Sequence, residues 1–308
     1  MKSPPLASPA TVGDLIEWGE KRLIEAEVFF GHGADCALDE AAFLALTALG
    51  LPLATAGAGL KQVVSEKQRE QVARLVEQRI ETRQPAAYLV HEAWFAGLPF
   101  YVDQRVLVPR SPISELIGSR FSPWLSKHEE LRILDLGTGS GCIAVACARA
   151  FPDSRIDATD VSQDALQVAR INLQRHGLEH RIRLHESDVF SALPQHAYDI
   201  IVSNPPYVPE PEIKKLPPEY RAEPKLGMGG GADGLQIVRR LLTQSAAYLA
   251  ETGILIVEVG HQEKGLQQAY PDVPFLWLEF EKGGQGVFLL EASELRLHFP
   301  RMDPRRPQ

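Results

Sequence analysis

Cysteine is scarce: three in 308 residues, at Cys36, Cys142 and Cys147. An odd, sparse set excludes a disulfide framework and suits a reducing compartment. No CxxC pair and no His/Cys cluster has metal-ligand spacing, so no metal is expected. Positive charge is in deficit, 32 Lys and Arg against 40 Asp and Glu, for a net −8. An acidic chain is a poor general binder of duplex phosphate, so direct sequence-specific nucleic-acid binding is not expected. The sign suits a soluble enzyme, or one whose target is itself basic. Residues 1–10 carry one Lys and three Pro but no apolar centre, which is not the pattern of a signal peptide. Long apolar runs are also missing. The one uncharged stretch of bilayer length, residues 41–60, is mostly Ala, Gly and Thr around a few Leu, and Gly50 and Pro52 interrupt it. Such a stretch inserts weakly, and it reads as a buried helix followed by a loop. The expectation is a cytoplasmic protein without a membrane partner.

What is present is enough apolar material, 44%, for a sizeable core, in a chain long enough for two domains. Residues 11–30 place Leu15, Ile16, Leu23 and Ile24 at helical spacing. Asp39 can cap a helix running through Phe43, Leu44, Leu46 and Leu49. Ser65 with Gln68 forms a capping box that opens a helix through Val72, Leu75, Val76 and Ile80. This predicts a small helical bundle over residues 1–87. A strand, a Gly/Pro turn and a second strand follow at 94–102, a β-hairpin linker within 88–110. From Leu131 the pattern alternates. Strands are predicted at 132–136, 155–159, 181–185, 198–203 and 253–259, with 275–280 and 286–290 closing the sheet. The helices between them are 142–150, one capped by Ser162 and ended at Gly177, 234–249 and 263–270. Alternation of this kind means an α/β domain, residues 111–300, with a doubly wound, mostly parallel, seven-stranded sheet. The tail, 301–308, is rich in Pro and Arg and reads as frayed.

Ligands in such folds sit beyond the carboxyl ends of the strands, and two motifs fall there. The first is Asp135-Leu136-Gly137-Thr138-Gly139-Ser140-Gly141, between the first strand and its helix. Its glycines let backbone approach a ligand closely, and Asp160, about twenty residues on at the end of the second strand, is placed to grip ribose hydroxyls. The spacing is GxGxG rather than GxGxxG. With a carboxylate at Asp135, the loop suits a cationic ligand better than a pyrophosphate, which points to S-adenosylmethionine over a dinucleotide. Asp188, after the third strand, is a candidate for the adenine end. The second motif is Asn204-Pro205-Pro206-Tyr207 after the fourth strand. Two prolines stiffen the backbone and remove two N–H donors, leaving carbonyls and the Asn204 amide oxygen as acceptors in fixed geometry. A substrate –NH2 that donates both hydrogens is held with its nitrogen aimed, and Tyr207 can stack on a planar group. No general base is evident beside the motif.

Together these motifs resemble the HemK-like protein glutamine N5-methyltransferases, and the resemblance covers nearly the whole chain. It includes Phe29-Phe30-Gly31-His32-Gly33, Asp39-Glu40-Ala41, Pro85-Ala86-Ala87-Tyr88-Leu89 and Phe95-Ala96-Gly97-Leu98-Pro99-Phe100. Val108-Pro109-Arg110-Ser111-Pro112-Ile113 and Glu223-Pro224-Lys225-Leu226 resemble the branch that modifies a glutamine of large-subunit ribosomal protein number three. The release-factor branch usually reads Val-Pro-Arg-Pro-Glu-Thr at the first of these. The resemblance implies a class I, Rossmann-like methyltransferase fold and S-adenosylmethionine as cofactor. It also implies a ribosomal protein, free or in an assembling particle, as substrate. It assigns Gly137 to Gly141, Asp160 and Asn204 to the cofactor, and Asn204, Pro205, Pro206 and Tyr207 to the glutamine. Many relatives carry an aromatic residue where Val189 stands, and Phe190 is the candidate to replace its contact with adenine. The glycine-rich run 228–231 suggests a mobile substrate loop. His32 and Arg110 are weaker candidates for a role. Rival readings are a release-factor methyltransferase, a DNA amino-methyltransferase and a non-enzymatic assembly factor with a vestigial site.

Overall fold

The computed structural model describes residues 10–125, 130–193, 197–281 and 283–300, in two compact units. The proposed tail and most of the N-terminal stretch read as no signal peptide lie outside the described residues. No helix among the described residues is long and apolar enough to cross a membrane.

Among the described residues, the first unit holds 10–93, 102–104 and 216–223. Its long helices are α1 (Val12–Glu25), α2 (Ala37–Ala48) and α3 (Glu66–Thr82). Capping boxes open α1, from Thr11 and Asp14, and α3, from Ser65 and Gln68. The side chain of each cap accepts from an otherwise unpaired amide of the first turn. Helix α2 begins three residues earlier than expected. Its N-cap is Cys36, and Asp39 sits inside the first turn, where its charge complements the helix dipole. Leu15, Leu23, Leu44, Val72 and Val76 form the fully buried apolar centre.

Charges occupy that interior too. Arg79 and Glu40 are buried and joined at 2.7 Å, and buried Glu219 lies 3.6 Å from Arg79. Glu219 also accepts from the Phe29 amide at 3.2 Å and from Arg83 at 3.4 Å. The segment 216–223, distant in sequence, is thus held in this unit by a carboxylate shared between two arginines and a backbone amide. His32 is buried in the same unit, 3.5 Å from Glu223 and 4.4 Å from the Tyr220 ring.

The second unit holds the described residues within 94–101, 105–215 and 224–300. Its sheet comprises β1 (Arg132–Leu136), β2 (Arg155–Asp160), β3 (Ile182–Glu186), β4 (Tyr198–Ser203), β5 (Leu249–Glu258), β6 (Leu276–Trp277) and β7 (Val287–Glu291). The order across it is β3-β2-β1-β4-β5-β7-β6. The first five strands pair in parallel, and β7 and β6 are antiparallel. The crossovers include α4 (Cys142–Ala150), α5 (Gln163–His176) and α6 (Gln236–Gln244). Helix α5 is capped by Ser162 and stopped by Gly177 in the left-handed region, as its sequence predicts. The expected helix over 234–249 is shorter, because the chain tightens into a 3-10 turn at Ser245–Ala247 and β5 already begins at Leu249.

Strand side chains alternate between faces, so the sheet feeds two cores. Ile133, Ile200, Val202, Ile254 and Ile256 enter one, with α4. Leu134, Leu136, Ile201, Leu255 and Val257 enter the other, with α6. Strands buried on both sides read as continuous apolar runs rather than alternating ones. The hairpin of Ala93–Phe95 and Leu98–Phe100 sends Phe95 and Phe100 into the α4 side.

Replacing Arg79 by Met should leave Glu40 and Glu219 buried without their shared cation. The expected cost is about 3–5 kcal/mol, read as a lower urea midpoint for loss of helical circular dichroism.

Candidate active site

Five parallel strands end on one edge of the second unit, and the residues of both motifs lie at or just beyond those ends. Strand β1 runs into Gly137–Gly141, β2 ends at Asp160, β3 leads to Asp188 and Val189, β4 leads to Asn204–Tyr207, and β5 ends at Glu258. Register places Leu136 opposite both Thr159 and Ser203.

The glycine loop is fastened from below and from the side. Below, fully buried Asp135 accepts from the Thr138 hydroxyl at 2.6 Å and from the Ala144 amide, in the first turn of α4, at 3.1 Å. Its other oxygen, Oδ1, has no hydrogen-bond partner among the described residues. Burial raises this carboxyl to about 7, although both hydrogen bonds oppose the rise. From the side, the amides of Gly137 and Thr138 donate to the Thr159 carbonyl, at 2.9 and 2.8 Å. The Gly139 amide donates to Asp160 at 2.9 Å. Gly137 and Gly139 have φ of +72° and +54°, and a Cβ on either would meet open space. Conformation requires glycine here, and the vacant faces leave backbone open to a ligand. Across the loop, buried Asn172 donates to the carbonyls of Ser140 and Tyr101, each at 2.9 Å, and accepts from the Tyr101 amide at 2.7 Å.

Asp160 is half-buried. Burial raises its carboxyl above the usual range, and amides of Ser162, Gly139 and Val161 oppose that rise. An ionised carboxylate offers about four acceptor directions, so hydroxyls can still donate to it.

Asp188 is exposed and ion-paired with Arg240 at 2.7 Å. That pairing is the ordinary state of a solvated loop acid. Val189, half-buried, has φ of +55°, a strained conformation for a β-branched residue. Phe190, the candidate for the adenine contact, is buried in the α6-side core, stacked on Tyr248 at 4.5 Å.

The Asn204–Tyr207 turn is joined to the glycine loop where the Ser203 hydroxyl donates to the Leu136 carbonyl at 2.7 Å. Beyond it, the expected mobile loop is instead fastened down. Val208 donates to Met228 at 2.8 Å, Gly230 to Val208 at 2.9 Å, and Glu210 to Gly231 at 3.0 Å. The glycines serve close approach: a Cβ on Gly230 would meet the Gly234 backbone at 2.5 Å, and one on Gly260 would strike the Tyr207 ring at 2.7 Å.

Sequence reasoning missed Glu258. It is buried at the end of β5, accepting from the Ser111 hydroxyl at 2.5 Å and the Tyr207 hydroxyl at 3.1 Å, with a further hydrogen bond to the Asn204 side chain. Burial raises its carboxyl. Those three bonds and the Arg110 charge oppose the rise. The signal was a carboxylate closing the apolar run Ile254-Leu255-Ile256-Val257 at the edge that holds the other candidates. Chemically, the edge offers an open backbone cradle with acids beside it, next to a rigid turn rich in acceptors.

A family model described as methyltransferase small domain matches residues 117–216. Two ribosomal protein uL3 glutamine methyltransferases of Neisseria meningitidis, from serogroups B and A, are each 47% identical to the chain over 287 residues. Each match covers 92% of this chain and 94% of the relative. Among solved structures, a methyltransferase from Pyrococcus furiosus is similar at 20% identity and a TM-score of 0.48, over 72% of this chain and 98% of that one.

Asp135 makes stability depend on pH. Its folded-state pKa of about 7 lies above its ordinary value of 3.8. The stability it contributes is therefore full below the lower value and is lost as pH rises through the higher one. Asp135→Asn should flatten this dependence. In urea unfolding of ligand-free protein, the variant should gain on the wild type between about pH 5 and about pH 8.

Proposed function

The chain belongs to the family of the ribosomal protein uL3 glutamine methyltransferases, and we propose that it transfers a methyl group from S-adenosylmethionine to the side-chain amide of a glutamine in that ribosomal protein. The observation that carries this reading is the seating of an Asn-Pro-Pro-Tyr turn beside a glycine cradle, joined through Ser203 and Leu136. The proposed site of action is the cytoplasm, where a basic ribosomal protein would meet an acidic enzyme with favourable electrostatics.

The residues present fit the cofactor. Gly137 and Gly139 leave a backbone cradle that no side chain fills. Asp160, at the end of β2, is half-buried with acceptor directions left for ribose hydroxyls. Asp135 lacks a hydrogen-bond partner on Oδ1 among the described residues, and a cation at the loop would hold its buried carboxyl ionised. The loop Gly137–Gly141 with Asp160 would therefore hold S-adenosylmethionine, and Asp135 would act from beneath the loop. Asp188 and Val189 would line the adenine end. When bound, S-adenosylmethionine supplies a methyl group activated by its sulfonium, whose sulfur keeps the C–S bonding pair.

An amide nitrogen is a poor nucleophile because its lone pair is delocalised, so placement is the chief lever. Alignment of this kind supplies up to about 7–11 kcal/mol. The Asn204 amide oxygen and the carbonyls of the proline turn accept both hydrogens of the substrate –NH2 and aim its nitrogen. Pro205 and Pro206 keep those acceptors from rotating away, and Tyr207 lies against the planar group. The nitrogen forms its new bond to carbon and releases one proton to water. The helical unit, residues 1–87 in the main, is the proposed grip on the protein substrate.

The test is transfer of labelled methyl from S-adenosylmethionine to ribosomal proteins taken from cells lacking this gene, with release factors and DNA as parallel acceptors. Label is expected on a glutamine of uL3. Label on release factors or DNA alone would overturn the substrate. Asn204→Ala should cut turnover by about 10²-fold or more and leave most of the cofactor affinity, measured by calorimetry.

A further inference from the structure

The Asn204 amide can face the substrate in two ways, and only one works. With Oδ1 outward it accepts a hydrogen from the substrate –NH2. With Nδ2 outward it presents hydrogens to hydrogens. A side-chain amide is nearly symmetric in shape, so packing alone does not choose between them, and hydrogen bonding must. We infer that Glu258 makes this choice: its buried carboxylate takes a hydrogen from Asn204 Nδ2, so that Oδ1 is held toward the glutamine amide. The inference rests on the methyl-transfer reading above and assigns Glu258 as a positioning residue for that reaction.

The geometry supports it from three sides. Glu258 is buried at the end of β5, one strand over from the Asn204 turn, and β4 and β5 pair in parallel with Ser203 opposite Val257. Its Oε2 accepts from Ser111 at 2.5 Å, and its Oε1 accepts from Tyr207 at 3.1 Å. The Ser111 hydroxyl also accepts from the Ile113 amide at 3.2 Å, which fixes its proton toward Glu258. The Asn204 side chain completes the set. An ionised carboxylate is an acceptor only, so all three partners must donate. For Asn204 this means Nδ2 inward and Oδ1 free for the substrate. The positive charge of Arg110 favours the ionised form. The same carboxylate holds the Tyr207 ring through its hydroxyl, and Gly260 leaves room for that ring, since a Cβ there would strike it. One buried acid therefore sets two side chains of the turn.

Glu258→Gln replaces one acceptor oxygen with a donor NH2. Three donors then converge on a group with a single acceptor oxygen, and Asn204 can relieve the conflict by turning over, which puts its NH2 toward the substrate. The variant keeps the size of the side chain. A second variant, Glu258→Asp, keeps the charge and shortens the reach.

Two readouts test the inference together. The first is methyl transfer to uL3. Turnover of Glu258→Gln should fall about 10²-fold. KM for the protein and the cofactor dissociation constant should stay within about threefold, because the loss lies in alignment rather than in binding. Wild-type kcat should decline at acid pH as Glu258 takes up a proton, and this limb should be missing from the residual activity of the variant. Glu258→Asp should recover part of the lost turnover. The second readout is independent of any substrate: the Asn204 side-chain NH2 in nitrogen-15 spectra of the ligand-free protein. One of its protons should be protected from exchange in the wild type and lose protection in Glu258→Gln. Wild-type turnover in Glu258→Gln, or an Asn204 NH2 indifferent to the substitution, overturns the inference. If the wild type does not methylate uL3, the functional reading falls instead, and the Asn204 signal still decides what Glu258 does.

Discussion

Parallel pairing of β1 with β4 is the constraint on which the site depends. Leu136 and Ser203 are register partners, and the Ser203 hydroxyl closes on the Leu136 carbonyl at 2.7 Å. The next residue on one side begins the glycine loop, and the next on the other is Asn204. Both turns leave the sheet at the same height from adjacent strands, at the point where the strand order reverses direction. Parallel strands direct all their carboxyl ends to one edge, so chemistry from distant parts of the chain collects there without a dedicated scaffold. In this chain, Asp135, Asp160, Asn204 and Glu258 span more than a hundred residues and share one edge of one sheet.

Buried carboxylates carry the arrangement. Removing a carboxylate from water is costly unless donors surround it. Each of the three here, with Asp160 only half-buried, has its own set of donors. Asp135 holds a hydroxyl and a helix amide, Asp160 holds loop amides, and Glu258 holds two hydroxyls and a side-chain amide. The desolvation cost is the stake that makes the geometry unique, because any donor that swings away leaves a buried acceptor unmatched. Asp135 is incompletely matched, with one oxygen lacking a partner among the described residues and its carboxyl raised to about 7. That residual deficit sits under the glycine cradle, where a cationic ligand would reduce it. The helical unit uses the same device for another end, since Glu219 draws the segment 216–223 onto Arg79 and Arg83.

Much of this could be read in the sequence because it is written locally. Ser65 with Gln68, Ser162 with Gly177, and the apolar run before Asp135 each encode an element within a few residues. The glycine loop and the proline turn declare themselves because their backbones need glycine and proline wherever the rest of the chain goes. What escaped reading depends on pairs distant in sequence. Glu219 meets Arg79 across 140 positions, and Glu258 meets Ser111 across 147. The apolar run before Glu258 marks its burial, but nothing near either carboxylate identifies the donors that another element brings to it. The placement of Phe190 escaped reading for a related reason. Proximity to Val189 suggested it as a contact on the loop, but both residues pack against the α6-side core, with Phe190 stacked on Tyr248. The run 228–231 misled through composition. Glycine permits mobility, yet it also permits close contact, and here the backbones of Val208, Gly230 and Gly234 approach too closely for any side chain at 230. A glycine's meaning is decided by what stands opposite it, and that is settled only once the strands have paired.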